Sequence, residues 1–277
     1  MTTDRLEQRV AGDDGWVARG VGGEMSSTST PGTSGPPEPV RIELLGSWSF
    51  TGVGRDGATP LVVRRLVTYL ALRGPATREQ VAATLWPDAT ACKSSGSLRT
   101  ALWRVRAMHP QLVECDADSA RLHPDVRVDV EELVEDVRRL DAGELPPRLR
   151  TLPRYLLDGD LAAGCYDEWV LLERERVRQL RLHALEGLAL ALAEEGRFAL
   201  ALEAALAAVR AEPLRESAHR AVVVVHLREA NRSEALRHVR AYRALLYREL
   251  GVPPSPALLH LLDVATQVPQ QRGGTAC

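Results

Sequence analysis

The sequence predicts a mainly α-helical protein with a small β component, an N-terminal winged helix-turn-helix followed by an all-α tetratricopeptide-like repeat domain. Short apolar runs of strand type and helical periodicities succeed each other in residues 40–125. From residue 126 the pattern is helical, and within it a short pattern returns after 34 residues, the period of tetratricopeptide repeats. A chain of 277 residues with 45% hydrophobic side chains is long enough to bury the cores of two such domains.

Composition divides the chain into four segments. Residues 1–39 end in GVGGEMSSTSTPGTSGPPEP, which is too polar to bury and too rich in proline for a helix, so we predict a disordered leader. A winged helix-turn-helix at 40–125, a helical domain at 126–265 and a disordered tail at 266–277 follow. The N-terminus lacks the series of a secretory signal and no window approaches ~20 apolar residues, so we expect a cytoplasmic protein that does not span a membrane.

Four short runs of the first domain predict strands. Residues 41–51, RIELLGSWSFT, alternate loosely and break at Gly46, which predicts two strands, and TPLVV at 59–63 predicts a third. LVEC and SARL, in 112–122, predict a hairpin around a turn at Ala117-Asp118. This hairpin is the expected wing.

Three helices are predicted between these strands. The first covers 63–73, where apolar residues have helical spacing before a Gly-Pro pair. The second starts at Thr77, which forms a capping box with Gln80. The third covers about 94–108 and stops at a His-Pro pair. Three helices and a hairpin in this order indicate a winged helix-turn-helix whose third helix enters the major groove of DNA.

The third predicted helix carries the charge pattern of a DNA-reading element. No Asp or Glu occurs in 89–113, which holds four basic residues and Trp103. Neutralised phosphates release counterions and supply most of the affinity for DNA. Apolar residues cluster on one side, where we expect them to pack on the other two helices, and they are Leu98, Ala101, Leu102 and Val105. The alternatives are a solvated helix with incidental arginines, or an indole that packs on the strands.

The predicted DNA-binding residues lie mainly on the remaining side of this helix, and they are Lys93, Ser95, Arg99, Thr100, Trp103, Arg104, Arg106 and, on the hairpin, Arg121. Residues 40–125 carry 11 basic against 8 acidic residues, whereas 126–265 carry 20 against 23, so a basic domain precedes an acidic one. The hairpin is the acidic part of the basic domain, since Arg121 is accompanied by three carboxylates. We therefore expect little DNA contact from the wing.

The helical domain contains an internal repeat. GRFALAL at 196–202 returns as ANRSEAL at 230–236, with Ala-Leu in register. Small residues at Ala201 and Ala235 let paired helices approach closely, and stacking buries faces that one hairpin leaves open. The alternative is a generic helical bundle.

The sequence contains no pattern that indicates an enzyme, a metal site or a cofactor site. The four cysteines have no CxxC spacing and no neighbouring pair of histidines, so we interpret them as free thiols. No GxxxxGK phosphate loop, GxSxG elbow or HExxH motif occurs. We therefore expect neither catalysis nor a bound metal or cofactor.

Several long motifs resemble the SARP family of actinobacterial regulators. WVLLERERVRQLRLHALE, AVRAEPLRESAHRA and RELGVPPSPAL are similar to its bacterial transcriptional activator domain, and LWPD, SLRTALWRVR and VRVDVEEL to its winged helix, over roughly 40–262. The resemblance implies sequence-specific binding of double-stranded promoter DNA as a dimer on repeated half-sites. It further implies an activator that recruits RNA polymerase.

Two departures from the family and one rival function accompany this resemblance. Cys165 stands where the family often carries an aromatic residue, so we expect looser packing there. The sequence stops after the helical domain, so the ATPase and sensor modules of larger relatives are not expected, and regulation would come through expression level, a ligand or a partner. The rival is a repeat scaffold that binds proteins only. Salt-dependent binding of promoter DNA distinguishes the two.

Overall fold

The computed structural model describes residues 40–50, 59–157, 161, 162 and 164–266, with side chains described as far as Leu261. All of them lie in one compact unit that starts at Glu38. The predicted leader falls outside the described residues, as does the predicted tail except for Thr266, where the last helix ends. The described part is mostly helical with two small sheets, which confirms the predicted fold class.

The described part of the chain contains six strands and ten helices. The strands are β1 (Arg41–Glu43), β2 (Ser49–Phe50), β3 (Ala76–Thr77), β4 (Val113–Cys115), β5 (Ser119–Leu122) and β6 (Arg127–Val128). The helices are α1 (Leu61–Arg73), α2 (Arg78–Leu85), α3 (Ala91–Met108), α4 (Asp129–Asp141), α5 (Arg154–Leu157), α6 (Glu168–Glu194), α7 (Phe198–Ala211), α8 (Glu216–Arg228), α9 (Arg232–Leu250) and α10 (Pro256–Thr266), with a 3₁₀ turn (Pro147–Thr151) before α5.

The first sheet has the order β2-β1-β6. Ile42 is paired with Phe50 across the antiparallel β1–β2 ladder and with Val128 across the parallel β1–β6 ladder. The buried carboxylate of Asp129, directly after β6, accepts the backbone N–H groups of Leu44 and Leu45 at 2.8 Å each. Burial nevertheless raises the pKa of Asp129 above its ordinary value. The start of the helical domain is thus built into the N-terminal sheet.

The predicted strand at 59–63 is wrong, because Leu61–Val63 form the first turn of α1. The N–H groups of Val63 and Arg64 donate to the carbonyl of Pro60, at 2.9 and 3.1 Å. Two adjacent valines favour a strand locally, but Val63 is fully buried in the core, and packing there outweighs intrinsic propensity.

The second sheet, β3-β5-β4, forms the wing. The hairpin β4–β5 is antiparallel as predicted, and β3 adds to its other edge with Ala76 opposite Ala120. The predicted capping box starts α2: the N–H of Gln80 donates to Thr77 Oγ1 at 3.2 Å, and the N–H of Thr77 donates to Gln80 Oε1 at 3.1 Å. α3 begins at Ala91, three residues before the expected start.

The core of the winged helix confirms the predicted faces of α3. The four residues predicted to form the buried side of α3 are at most 4% exposed, and they are Leu98, Ala101, Leu102 and Val105. They share one buried cluster with residues of α1 and α2, namely Leu66, Leu70, Val81 and Leu85. α3 is therefore held against both preceding helices along one side only.

The helical domain confirms the predicted repeat in its backbone as well as its sequence. Gly196 and Ala230, 34 residues apart, both have positive φ, 74° and 62°. The next residues make equivalent bonds: the N–H of Arg197 donates to the carbonyl of Leu192 at 2.9 Å, and that of Asn231 to His226 at 2.8 Å. The interface alanines at 201 and 235 are both fully buried.

Side chains of α1 contact the first turns of α6, so the winged helix is attached to the helical domain. Arg65 forms an ion pair with Asp167. The rings of Tyr69 and Trp169 meet edge to face with centroids 5.4 Å apart. One buried cluster runs from β1 through α8. α3 is thus supported by α1, which in turn rests on the helical domain.

Candidate nucleic-acid interface

The structure places all the predicted DNA-binding residues on the surface. Six of them lie along the exposed side of α3, namely Lys93, Ser95, Arg99, Thr100, Trp103 and Arg104. The others lie at the end of α3 (Arg106) and on β5 (Arg121), and both are exposed. The side of α3 opposite its buried apolar residues therefore carries six of the eight predicted DNA-binding residues.

Trp103 occupies the middle of this exposed side. Its side chain is 69% exposed, so it does not pack on the strands. At 100° per residue it lies between Arg99 on one flank and Arg104 on the other. A large aromatic ring exposed among cations fits the predicted DNA-contact surface.

Three cations of α3 are available to bind phosphate or base edges. Lys93, Arg99 and Arg104 form no ion pair with any residue that the structure describes. Elsewhere arginines are mostly neutralised, as by the bidentate pairing of Arg150 with Glu195. The positive charge of α3 is therefore concentrated and uncompensated.

The start of α3 adds backbone donors to these cations. Thr90, at the N-cap, makes no capping bond with its side chain, and the first turn contains no acidic residue. The first N–H groups of a helix have no intrahelical partner and attract anions. Ser95 is exposed near this end, and Thr100 donates its hydroxyl to the Gly96 carbonyl at 3.1 Å, so its oxygen still accepts hydrogen bonds.

Arg106 and Arg121 differ from the other predicted residues because each has a partner. Arg106 Nη2 lies 3.3 Å from the carbonyl oxygen and 2.9 Å from Sγ of Cys115, so it ties α3 to β4. Arg121 forms an ion pair with Glu114, 2.7 Å from Nε to Oε2. Arg106 is thus held by neutral groups of β4, whereas the charge of Arg121 is neutralised by Glu114.

The tip of the wing is acidic. Asp116 accepts the N–H groups of Asp118 at 2.8 Å and Ser119 at 2.6 Å, and the hydroxyl of Ser119 at 2.8 Å. These hydrogen bonds, with the nearby charge of Arg121, hold the pKa of Asp116 below its ordinary value. A carboxylate that stays ionised here repels phosphate, in keeping with the limited role expected for the wing.

One basic residue beside this surface was missed from sequence. Arg78, the first residue of α2, donates its N–H to the Asp118 carbonyl at 2.8 Å and Nη1 to the Asp116 carbonyl at 3.3 Å. It joins α2 to the wing tip. Only its place directly after the capping residue Thr77 distinguished it in the sequence.

Other chemistry is sparse in the part of the chain that the structure describes. It contains no group of three or more His, Cys, Asp or Glu side chains placed to hold a metal ion. Cys92, Cys115 and Cys165 are free, while Cys277 lies outside the described residues. Cys165 is buried, and this burial raises the pKa of its thiol. No described helix is long and apolar enough to cross a membrane.

Comparison with known proteins finds similarity in both sequence and fold. The family model of the bacterial transcriptional activator domain matches residues 126–263. Regulatory protein AfsR of Streptomyces coelicolor is 28% identical over 253 residues, which cover 82% of this chain and 25% of AfsR. The solved structure of Mycobacterium tuberculosis EmbR, in complex with a low-affinity phosphopeptide, aligns with a TM-score of 0.64 and 19% identity, over 82% of this chain and 65% of that chain. The chain thus spans about a quarter of AfsR, and the likeness to EmbR concerns the fold.

Proposed function

We propose that this chain is a transcriptional regulator of the SARP family, which activates transcription by placing α3 in the major groove of promoter DNA. The observation that carries the proposal is the exposed side of α3, where Trp103 stands among cations that no described carboxylate neutralises. A single helix fits the major groove of B-DNA, which is about 12 Å wide. In the alternative, a solvated helix, the exposed indole of Trp103 would contact only water.

The position of each side chain suggests its role. Arg99 and Thr100, both exposed on α3, are assigned to base edges, where a bidentate arginine reads guanine. Lys93 and Ser95, near the start of the helix, and Arg104, on its far flank, are assigned to phosphates. Arg106, near the end of α3, and Arg121, on the wing, are assigned a supporting role, because both already bond to residues of β4.

The helical domain is proposed to act after DNA is bound. It carries net −3 over 126–265, so phosphate repels it as a whole and it is left to present its surface to RNA polymerase. Binding of two copies to repeated half-sites would bring two such domains to one promoter. The protein would then work in the cytoplasm, on nucleoid DNA.

Mapping of bound DNA across the genome, followed by binding in vitro, tests the proposal. We expect one recurrent sequence to be enriched, and the full chain to bind a duplex carrying it with an affinity that falls steeply as salt rises. Arg104→Ala should weaken this binding, whereas Arg210→Ala, which removes an exposed arginine from α7, should not. If the chain bound no recurrent DNA sequence, a scaffold that binds only proteins would be the correct function.

A further inference from the structure

Helix α9 is a basic helix in an acidic domain. It contains five arginines and two glutamates, a net charge of +3, whereas the domain as a whole carries net −3. Arg237 is paired with Glu234 at 3.0 Å. Arg240 and Arg243 are exposed and form no ion pair with any residue that the structure describes. Two uncompensated guanidinium groups therefore lie one turn apart on α9.

These arginines border a concave surface at the end of α9. The helix ends at Gly251, which has φ of 70°, a conformation that glycine adopts without steric cost, and its N–H donates to the Tyr247 carbonyl at 3.1 Å. The turn brings residues 252–253 beside the last turns of the helix. The concavity between them has a volume of about 520 Å³, and it is lined by Arg240, Arg243, Ala244, Tyr247, Val252 and Pro253.

The apolar lining of this concavity is left open to solvent. Tyr247 is 74% exposed and Val252 is 45% exposed. The apolar residues that attach α9 to the repeat lie on a different side of the helix, and they are Ala235, Val239, Tyr242 and Leu246. Tyr247 therefore contributes little to the core, and an aromatic ring exposed in a hollow beside free arginines is typical of a recognition surface.

We propose that this concavity docks a segment of a partner protein in which a large apolar side chain is flanked by acidic residues. The apolar side chain fills the hollow against Tyr247 and Val252, and the carboxylates meet Arg240 and Arg243, whose planar guanidinium groups suit bidentate pairing. Nucleic acid fits the site less well, because a phosphate backbone offers charge but no aliphatic group to fill the hollow. The surface lies on α9, remote in sequence from the DNA-reading helix.

Selection from a library of random 12-residue peptides displayed on phage tests this proposal with the full-length protein as bait. We expect enriched peptides to contain acidic residues on both sides of an apolar residue. A synthetic peptide of the enriched sequence should bind in fluorescence anisotropy, and its affinity should fall about ten-fold or more for Arg240→Gln/Arg243→Gln and for Tyr247→Ala. Arg237→Gln, on the same helix but outside the hollow, should bind the peptide as the unaltered chain does.

The controls separate this surface from the DNA interface. The altered side chains are exposed, so the melting temperature should stay unchanged, and promoter DNA should bind as tightly to Arg240→Gln/Arg243→Gln as to the unaltered chain. Enrichment of peptides without an acidic and apolar pattern, or equal peptide binding by the arginine variant, would overturn the proposal. Loss of promoter affinity in that variant would instead assign the surface to DNA. Failure of promoter binding by the unaltered chain would reject the proposed function and leave the peptide result independent.

Discussion

The exposed side of α3 and the concavity at the end of α9 have similar composition but opposite shape. Each places an aromatic residue, Trp103 or Tyr247, among arginines that no described carboxylate neutralises. α3 is a convex rod whose ends are free of acidic residues, so it fits a groove. The end of α9 forms an open hollow bordered by residues 252–253, a shape that suits an inserted side chain. We infer that similar composition makes both of them candidate contact surfaces, whereas shape decides the class of partner that each would take.

The largest expected effect separates the two surfaces by their partners. Arg99→Ala/Arg104→Ala should lower affinity for the cognate promoter about 100-fold or more, because each contact contributes ~1–3 kcal/mol. Arg240→Gln/Arg243→Gln removes the same formal charge and should change promoter affinity by less than about two-fold, since it alters no residue on α3. Fluorescence anisotropy with labelled duplex measures both. Similar losses in the two variants would mean that net charge alone, and not position, explains DNA binding.

The next effect concerns the packing of α9 against α8. Ala235 is fully buried where α9 packs on α8, so Ala235→Phe should overpack that contact and lower the free energy of unfolding by ~1–3 kcal/mol. Ala201→Phe should act similarly at the equivalent position of the preceding repeat unit. Denaturant unfolding measures both changes.

Ala241→Phe supplies the matched control, because Ala241 is exposed on the same helix. It should change stability by no more than about 0.5 kcal/mol. Unchanged stability of Ala235→Phe would contradict close packing between the repeats.

A smaller effect distinguishes roles within the α3 surface. Arg104→Ala should weaken binding to all DNA sequences alike and lower the slope of log affinity against log salt by about one unit, because one phosphate contact is lost. Arg99→Ala should relax the preference at one base position. Binding to a set of single-base variants at several salt concentrations measures both. Equal behaviour of the two variants across this set would remove the distinction between base and phosphate contacts.

The smallest effect concerns the wing. Glu114→Gln should release Arg121 from its ion pair and remove one negative charge, so promoter affinity should rise about two-fold. Arg121→Ala leaves the Glu114 carboxylate without its partner, so promoter affinity should fall by a similar factor of about two. Titration of both variants with the same duplex at low salt provides the measurement. A large loss in Arg121→Ala would show that the wing binds DNA in spite of its carboxylates.

Much of the fold and of the candidate site was predictable because its signals are local. The capping box of Thr77 and Gln80, the hairpin of the wing and the buried side of α3 each depend on residues a few positions apart. The prediction of a strand at 59–63 was wrong because the structure of these residues depends on distant contacts. Its valines have strand propensity, but the contacts that keep Val63 in a helix come from the distant core.

The partners of individual site residues were not predictable in the same way. Periodicity placed Arg106 on the same helix as Arg99 but contained no sign that it donates to Cys115. Arg78 showed no special pattern, and its bonds to the wing tip arise only because the hairpin folds back over the start of α2. The partners of a charged side chain are the groups that the fold brings near it. Long-range packing determines which groups those are.

The residues of the chain alone specified a basic winged helix, a third helix without acidic residues and a 34-residue repeat, since periodicity, charge and composition act over a few turns of backbone. Two features required distant segments to meet: β6 beside β1, and Arg65 against Asp167. Each of these contacts depends on the shape and relative orientation of segments that are far apart in the sequence. Such properties are absent from any short window of sequence and arise when the whole core packs.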